Sequence, residues 1–407
     1  MRIAVDVTCW CNRRGFGRFT RELVTALSAR CEREELVLLA DSQTARCRDL
    51  PLKHDLATAP TSVAAVRAAS AQGNRPLLDM LAMGRMVRKI KPDMVFFPAV
   101  YSYFPVPLGV PCVVTFHDAI AELLPRLALG SWRNQLLWLA KCRLALRQTS
   151  TLLTVSQASK ADLVRHFGLS PHRVGVVEEA PSSIFHDVKL NGGVSTEVLA
   201  RHGLDGRKPF LLYVGGLSPH KNLSTLIEAM AQVRQTMPSA DLQLVLVGDY
   251  TGDAFNSCYP ELMQLVSRHH LNRAVHFAGY VSDGDLVHLY SGCEAFVLPS
   301  YLEGFGLPAA EAMACGAAVL VSDRGSLPEV VGEAGVLFDP DKTEGLAAAI
   351  LAVVTNGDYR DRLRQLSRKR ASHFSWDRAA QQTRQFLYAA AGAAPCAPAA
   401  LASQMAG

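Results

Sequence analysis

The sequence predicts an α/β protein of two doubly wound, parallel-sheet halves that face a central cleft. Three observations predict it. Short apolar runs rich in β-branched and aromatic residues alternate with longer amphipathic stretches, as in parallel strands covered by helices on both faces. The alternation pauses between about residues 182 and 208 and then restarts. At 407 residues, the chain is long enough for two domains of ~100–200 residues each.

In the first half, residues 3–7 read as a strand. A loop follows, then a helix over 18–30 with Phe19, Leu23, Val24 and Leu27 on one face. Further strands are predicted at 94–97, 113–116, 152–155 and 174–177, with helices at 77–90, 132–147 and 159–167. The pause holds Asn191-Gly192-Gly193, His202-Gly203 and Asp205-Gly206 and reads as a linker with a short helix. Strands then follow at 210–214, 242–247, 275–277, 295–299 and 318–322. Helices between and after them are expected at 222–236, 259–269, 283–292, 308–315 and 343–355. No repeat of period 20–50 residues is visible. The expected division is a first domain over 1–185, a second over 205–375, a final helix over 376–391 and a disordered Ala/Pro-rich tail over 392–407.

A composition of 49% hydrophobic and 19% charged residues excludes a disordered chain, a collagen-like repeat and a disulfide mini-scaffold. No apolar run approaches the ~20 residues of a membrane span, and the run behind Met1-Arg2 is too short for a signal sequence. The ten cysteines form no C-x-x-C pair, so they are expected to be reduced, with no zinc site and no staples, in a cytoplasmic protein. Residues 1–180 carry 24 Lys+Arg against 15 Asp+Glu, a net of +9, and the remainder is −4. A basic first half suits a phosphate, a lipid headgroup or nucleic acid, or is a solvated surface.

The most informative stretch is Pro299-Ser300-Tyr301-Leu302-Glu303-Gly304-Phe305-Gly306-Leu307-Pro308-Ala309-Ala310-Glu311. A strand ends, a glycine-bearing loop follows, Pro308 suits the first residue of a helix and Gly316 caps its far end. Such a helix start is an anion site suited to a diphosphate. Eight helical residues at ~1.5 Å each put Glu303 and Glu311 about 12 Å apart. The two carboxylates of a glycosidase lie only ~5–9.5 Å apart, so this pair suits two contacts on one extended ligand, or a loop charge and a helix-start charge.

Three more segments sit at strand ends. Tyr213-Val214-Gly215-Gly216-Leu217-Ser218-Pro219-His220-Lys221-Asn222 joins glycines to a lysine that can meet a phosphate, without a Walker A pattern. His117 and Asp118 follow the strand at 113–116, where a histidine can donate to a phosphate or a sugar hydroxyl or be satisfied in the core. Arg13-Arg14-Gly15-Phe16-Gly17-Arg18 is half a dinucleotide fingerprint, with Thr20 where the third glycine belongs. Asp283-Gly284-Asp285 reads as a helix start, and Asp339-Pro340-Asp341 as a turn, with no metal expected at either.

Taken in order, these segments resemble the retaining glycosyltransferases of the GT-B fold, family 4. The resemblance rests on Gly15 to Thr20, Thr115-Phe116-His117-Asp118, Thr154-Val155-Ser156-Gln157, Tyr213 to Asn222, and Glu303 to Pro308 with Glu311; Pro328-Glu329-Val330-Val331 and Gly335 to Asp339 extend it. It implies that Glu311 binds the ribose of a nucleotide sugar and Glu303 the sugar hydroxyls. Phe305, Gly306 and Leu307 offer amides to sugar and diphosphate, with Gly215 and Gly216 beside them. Lys221 meets the diphosphate, Val281 the base, and His117 the sugar near its reacting carbon. Gly15, Phe16, Gly17 and Asp118 line the acceptor side. The final helix resembles one that crosses back onto the first domain.

Two departures stand out. Many relatives carry Arg where Gly216 stands, leaving His220 or Arg324 as candidates for the missing phosphate contact, and many read Ser-Glu where Ser156-Gln157 stands. The resemblance implies metal-independent transfer with retention, most like bacterial mannosyl- or rhamnosyltransferases of surface polysaccharide assembly, with GDP-mannose as donor. A glycan or lipid-diphosphate-linked acceptor suits the basic first half. The stretch 132–147 mixes Trp132, Leu136, Leu137, Trp138 and Leu139 with Arg133, Lys141, Arg143 and Arg147, either a contact with an anionic membrane at the inner face or an ordinary packed helix. The rivals are a GT-B nucleotide-sugar epimerase, an inactive glycan-binding module and an NAD oxidoreductase. Nucleic-acid binding is the weakest reading and is not expected, since the basic half lacks a recognition module.

Overall fold

The computed structural model describes every residue except 32, 33, 52, 63–75, 130, 191, 207, 239, 240, 251–256 and 393–407. The tail read as disordered thus lies, Gly392 apart, outside the described residues.

The first sheet has seven parallel strands in the order β3-β2-β1-β4-β5-β6-β7. They are β1 Arg2–Asp6, β2 Glu35–Asp41, β3 Asp55–Ala59, β4 Met94–Phe97, β5 Cys112–Thr115, β6 Thr149–Thr154 and β7 Val174–Val176. The second has six, ordered β10-β9-β8-β11-β12-β13. They are β8 Phe210–Val214, β9 Gln243–Val247, β10 Val275–Gly279, β11 Ala295–Leu298, β12 Val319–Ser322 and β13 Gly335–Phe338. Both sheets wind outward in two directions, the doubly wound arrangement expected from the alternation of apolar runs and helices. Central strands such as β4 and β11 are buried along their whole length, which is why they read as unbroken apolar runs.

The helices are α1 Gly15–Arg30, α2 Leu77–Ile90, α3 Ile120–Leu123, α4 Pro125–Ala128, α5 Trp132–Gln148, α6 Gln157–Phe167, α7 Thr196–Arg201, α8 Leu223–Thr236 and α9 Tyr259–Arg268. They continue as α10 Asp283–Gly292, α11 Leu307–Ala314, α12 Leu327–Val331, α13 Thr343–Thr355, α14 Gly357–Ala371 and α15 Trp376–Ala390. At the end of α11, the Gly316 N–H bonds the Met313 carbonyl at 3.0 Å and the Ala317 N–H that of Ala312 at 2.9 Å, the paired bonds of a Schellman cap. α15 leaves the second half and packs on α1 of the first, where Trp376 meets Phe19 edge to face at 5.7 Å. Arg30 pairs with Asp377, and Arg384 Nε donates to the buried Glu34 at 2.5 Å.

Three readings need correction. α1 begins at Gly15 rather than 18, because the Gly17 and Arg18 amides already bond the Arg14 carbonyl at 3.0 Å; the glycine segment is a helical turn, not a loop. The strands β2, β3 and β13 are additional. β3 is a sheet edge with a half-buried, small-residue sequence that carries little apolar signal, whereas β2 and β13 hold apolar runs that the reading passed over. Cys11 and Cys47 form a disulfide, against the expectation of free thiols throughout. Neighbouring parallel strands β1 and β2 send their following loops out at the same carboxyl end of the sheet, so residues 36 apart in sequence meet there.

Candidate active site in the cleft

The second sheet reverses its winding between β8 and β11, and open α/β sheets bind ligands outside the strand ends at such a point. The loops leaving those two strands carry Lys221 and Glu303. Lys221 Nζ donates to both Glu303 carboxylate oxygens, at 2.7 and 2.9 Å, and Ser300 Oγ donates to Glu303 Oε1 at 2.6 Å. The Tyr301 N–H bonds the His220 carbonyl at 2.9 Å, joining the two loops through main chain as well. Burial alone would raise the Glu303 carboxyl; the charge and hydrogen bonds of Lys221, with Ser300, outweigh it and hold it below the ordinary range. Burial, aided by the Lys221 charge, pulls His220 down to about 4, so its ring is neutral at pH 7.

The loop that follows is fixed through its carbonyls. Ser326 Oγ lies 3.0 Å from the Glu303 carbonyl oxygen and 2.9 Å from that of Phe305. Ser156 and Ser159, from the first half, donate to the Gly304 carbonyl at 2.6 and 2.9 Å. The N–H groups of Phe305, Gly306 and Leu307 take no partner among the described residues. Gly306, at φ +95°, turns the chain into α11, whose second residue is Pro308. Carbonyls bound behind and amides free in front make a cradle for an anion.

Glu311 lies farther along α11 and is 3% exposed. Tyr290 OH donates to its Oε2 at 3.2 Å, and Arg18 Nη1, from α1, stands 3.1 Å from its Oε1. Burial pushes this carboxyl up to about 7, Arg18 opposing and Asp283 adding to it. Val281 is buried just ahead of α10, whose cap Ser282 accepts the Asp285 N–H at 3.3 Å.

From the first half, His117 is buried with both ring nitrogens engaged. Nε2 donates to the Pro98 carbonyl at 3.0 Å, and Nδ1 faces Glu179 at 3.3 Å. Its imidazole is held within its own half, and it is the His117 main chain that meets the donor loop. A Cβ added at Gly304 would lie 2.4 Å from the His117 carbonyl oxygen and 3.0 Å from Asp118 Cβ. Asp118 Oδ1 accepts the Ile120 N–H at 2.9 Å. Gly15 is exposed, Phe16 meets the Tyr101 ring at a tilt, 4.7 Å between centroids, and Gly17 packs against the Asn12 main chain. Thr20 is buried and donates to the Phe16 carbonyl at 2.8 Å, doing a helix residue's work where a third fingerprint glycine would be. In the second half, Tyr213 OH donates to the Gly216 carbonyl at 2.7 Å and fills the space beside Gly215.

The structure thus sets Lys221 on Glu303 at the head of the loop and helix that carry Phe305, Gly306, Leu307 and Glu311. Neither candidate for the missing phosphate contact supplies a free charge: His220 is neutral, and Arg324 is engaged with Asp323, Asp339 and Asp341. Sequence reasoning assigned no role to Arg18, Ser326 or Glu329. Glu329 accepts the Gln157 and Ala158 amides across the cleft at 2.9 and 3.1 Å. The signal that could have found them is their place in or beside segments already singled out. No cluster of three metal-ligating side chains occurs among the described residues, and no helix among them is long and apolar enough to cross a membrane.

Residues 194–370 match the family described as Glycosyl transferases group 1, and residues 13–179 match Glycosyltransferase Family 4. O-antigen chain mannosyltransferase B of Escherichia coli is 34% identical over 239 residues, 59% of this chain and 60% of that protein. The chain therefore spans about 60% of that curated relative's length. Glycogen synthase of Mycobacterium tuberculosis is 31% identical over 297 residues, covering 64% of this chain and 70% of that one. HepE of Anabaena, solved in complex with UDP-glucose, superposes with a TM-score of 0.68 at 20% identity over 96% of this chain and 100% of that chain.

Proposed function

The chain belongs to the group 1, family 4 glycosyltransferases, and from that premise we propose that it moves a hexose from a nucleoside diphosphate sugar to a glycan or lipid-linked glycan acceptor, with retention. One observation carries the reading. The Lys221–Glu303 pair, the unpartnered amides opening α11 and the buried Glu311 follow one another along the segment from β11 into α11, in the order an extended donor would meet them.

In this reading Glu311 accepts the ribose hydroxyls, and the amides of Phe305, Gly306 and Leu307 receive the diphosphate. Lys221 has three donors; Glu303 takes two, which leaves one for phosphate. Glu303, kept ionised, accepts from the sugar hydroxyls. Charge developing on the leaving diphosphate meets fixed N–H dipoles and one ammonium, which need no reorganisation as the bond breaks. The acceptor oxygen bonds the anomeric carbon on the face the diphosphate leaves, and its proton passes to the departing phosphate oxygen. Glu303 is paired with Lys221 and Glu179 faces His117, so neither is placed as a free nucleophile.

Mannose is the hexose we favour, on the likeness to an O-antigen mannosyltransferase, with GDP as its carrier. For a lipid-linked acceptor we propose peripheral contact with an anionic membrane through α5, in surface polysaccharide assembly at the cytoplasmic face. A thermal-shift panel of GDP, UDP, ADP, dTDP and NAD tests the donor reading. A ligand at 100 times its Kd adds about 2.7 kcal/mol. Stabilisation by one nucleoside diphosphate is the expected result; stabilisation by NAD alone, or by none, overturns it.

A further inference from the structure

Arg18 stands on α1 of the first half, yet both its acidic partners belong to the second. Nη2 donates to Asp283 Oδ1 at 2.6 Å, and Nη1 lies 3.1 Å from Glu311 Oε1. The guanidinium rests on the Phe185 ring, 5.0 Å from its centroid. The Arg18 side chain is 14% exposed and that of Glu311 4%. Nη1 is buried and completes no hydrogen bond of good geometry among the described residues. An arginine held this firmly across a cleft marks where the halves must meet.

We propose that Arg18 is a positioning residue for the donor: from the opposite half it holds the Glu311 carboxylate for the ribose diol, so the donor site is complete only when the two halves come together. The inference rests on Glu311 as the ribose acceptor. An ionised carboxylate offers about four lone-pair positions. Arg18 lies against one oxygen and Tyr290 binds the other, leaving two positions for vicinal hydroxyls. The groups facing Glu311 are Arg18 from α1, Asp283 and Tyr290 from α10, Glu179 after β7 and Cys315 beyond its own helix. Arg18 is the cation among them. With that cation in place, burial already pushes Glu311 up to about 7. Without it, Tyr290 is the one donor left among these neighbours and no cation opposes burial, so the carboxyl keeps its proton at neutral pH, losing acceptor capacity when the ribose arrives.

The test is calorimetric titration of the full chain with GDP, and with UDP, ADP and dTDP in turn, between pH 6.5 and 9. Wild type, R18Q, R18K and E311Q are compared. R18Q keeps most of the bulk and R18K keeps the charge. The expected result is at least tenfold weaker binding by R18Q at pH 7, recovering towards pH 9 as Glu311 ionises unaided, and near-normal binding by R18K. E311Q is weak at every pH. Wild-type affinity in R18Q, or a loss that does not change with pH, overturns the inference. Wild-type affinity in E311Q, or no nucleotide bound by the wild type, overturns the donor reading instead.

Discussion

The Glu329 carboxylate and the Gln157 N–H belong to opposite halves of the molecule and meet at 2.9 Å. Glu329 also takes the Ala158 N–H at 3.1 Å, while Ser156 accepts that of Ser159 at 3.0 Å, so the first turn of α6 is capped from both sides of the cleft. A carboxylate at a helix N-terminus is stabilising through orphan amides and dipole together. Here that stabilisation exists only with the halves closed. E329A should therefore lower the closed population and reduce kcat/KM by about 2–30-fold, the range of a lost cap of about 0.5–2 kcal/mol. G304A attacks closure by contact, since its methyl would sit 2.4 Å from the His117 carbonyl oxygen. Small-angle scattering should show a larger radius for both variants. Wild-type kcat/KM in both sinks the closure argument.

Most inner strands and the anion loop were legible because each is a local signal, though the apolar β2 was passed over. The apolar runs of β4, β5, β8 and β11 need no partner to be recognised, and the glycines of 304–306 announce a loop before α11. Edge strand β3 was not legible: Asp55–Ala59 pairs on one side and reads as polar and small. The site's charges were legible as residues but not as pairs. Nothing in the sequence couples Arg18 to Glu311, Lys221 to Glu303 or Glu329 to Gln157, because those distances are set by how two sheets face each other. The same holds for the Cys11–Cys47 pair, set by the neighbouring of β1 and β2.

The Lys221–Glu303 pair makes a prediction of sign. Glu303 lies below its ordinary range in the folded protein, so it stabilises above that range and the contribution is lost on acidification. In K221A the carboxylate is buried without its cation, a change that costs about 3–5 kcal/mol in comparable pairs. Its carboxyl then rises, so K221A should gain stability, relative to wild type, as pH falls from 8 to 5. The double variant K221A/E303A should melt above K221A at pH 8. E303A alone should abolish transfer while still binding nucleoside diphosphate. Substantial turnover by E303A removes its assigned role, and a pH-independent K221A deficit removes the electrostatic account.

Glu122 supplies a pH dependence away from the cleft. It accepts Trp138 Nε1–H at 2.7 Å, and burial, opposed by that bond and aided by Asp118, pushes its carboxyl up to about 7. The folded protein therefore binds a proton there that the unfolded chain releases at lower pH, and the contribution to stability falls as pH rises towards 7 and beyond. E122Q keeps the acceptor for Trp138 and removes the charge. Its stability relative to wild type should be near zero at pH 5 and positive at pH 8, on the order of 2 kcal/mol. Glu311 and His220 titrate alike in both proteins and cancel from the difference. A difference flat in pH would show that Glu122 does not titrate in this window.

The outer face of α5 makes the last prediction. Trp138, Cys142 and Ala145 bury one side of the helix. The other leaves Trp132 67%, Leu136 59% and Leu137 49% exposed, with Leu144 at 40%. Arg133, Arg143 and Arg147 are exposed beside them. Aromatic and aliphatic side chains interleaved with arginine suit the boundary of an anionic bilayer, where apolar burial and headgroup attraction act together. The protein should float with vesicles that contain anionic phospholipid and not with neutral ones. Binding should weaken between 0.1 and 1 M salt, as the screening length shrinks from about 10 to about 3 Å. L136E/L137E should release it without changing nucleotide affinity, because α5 contributes no residue to the donor crevice. Failure to float at low salt, or flotation unchanged in L136E/L137E, removes α5 as the contact and leaves a glycan free of lipid as the acceptor to test.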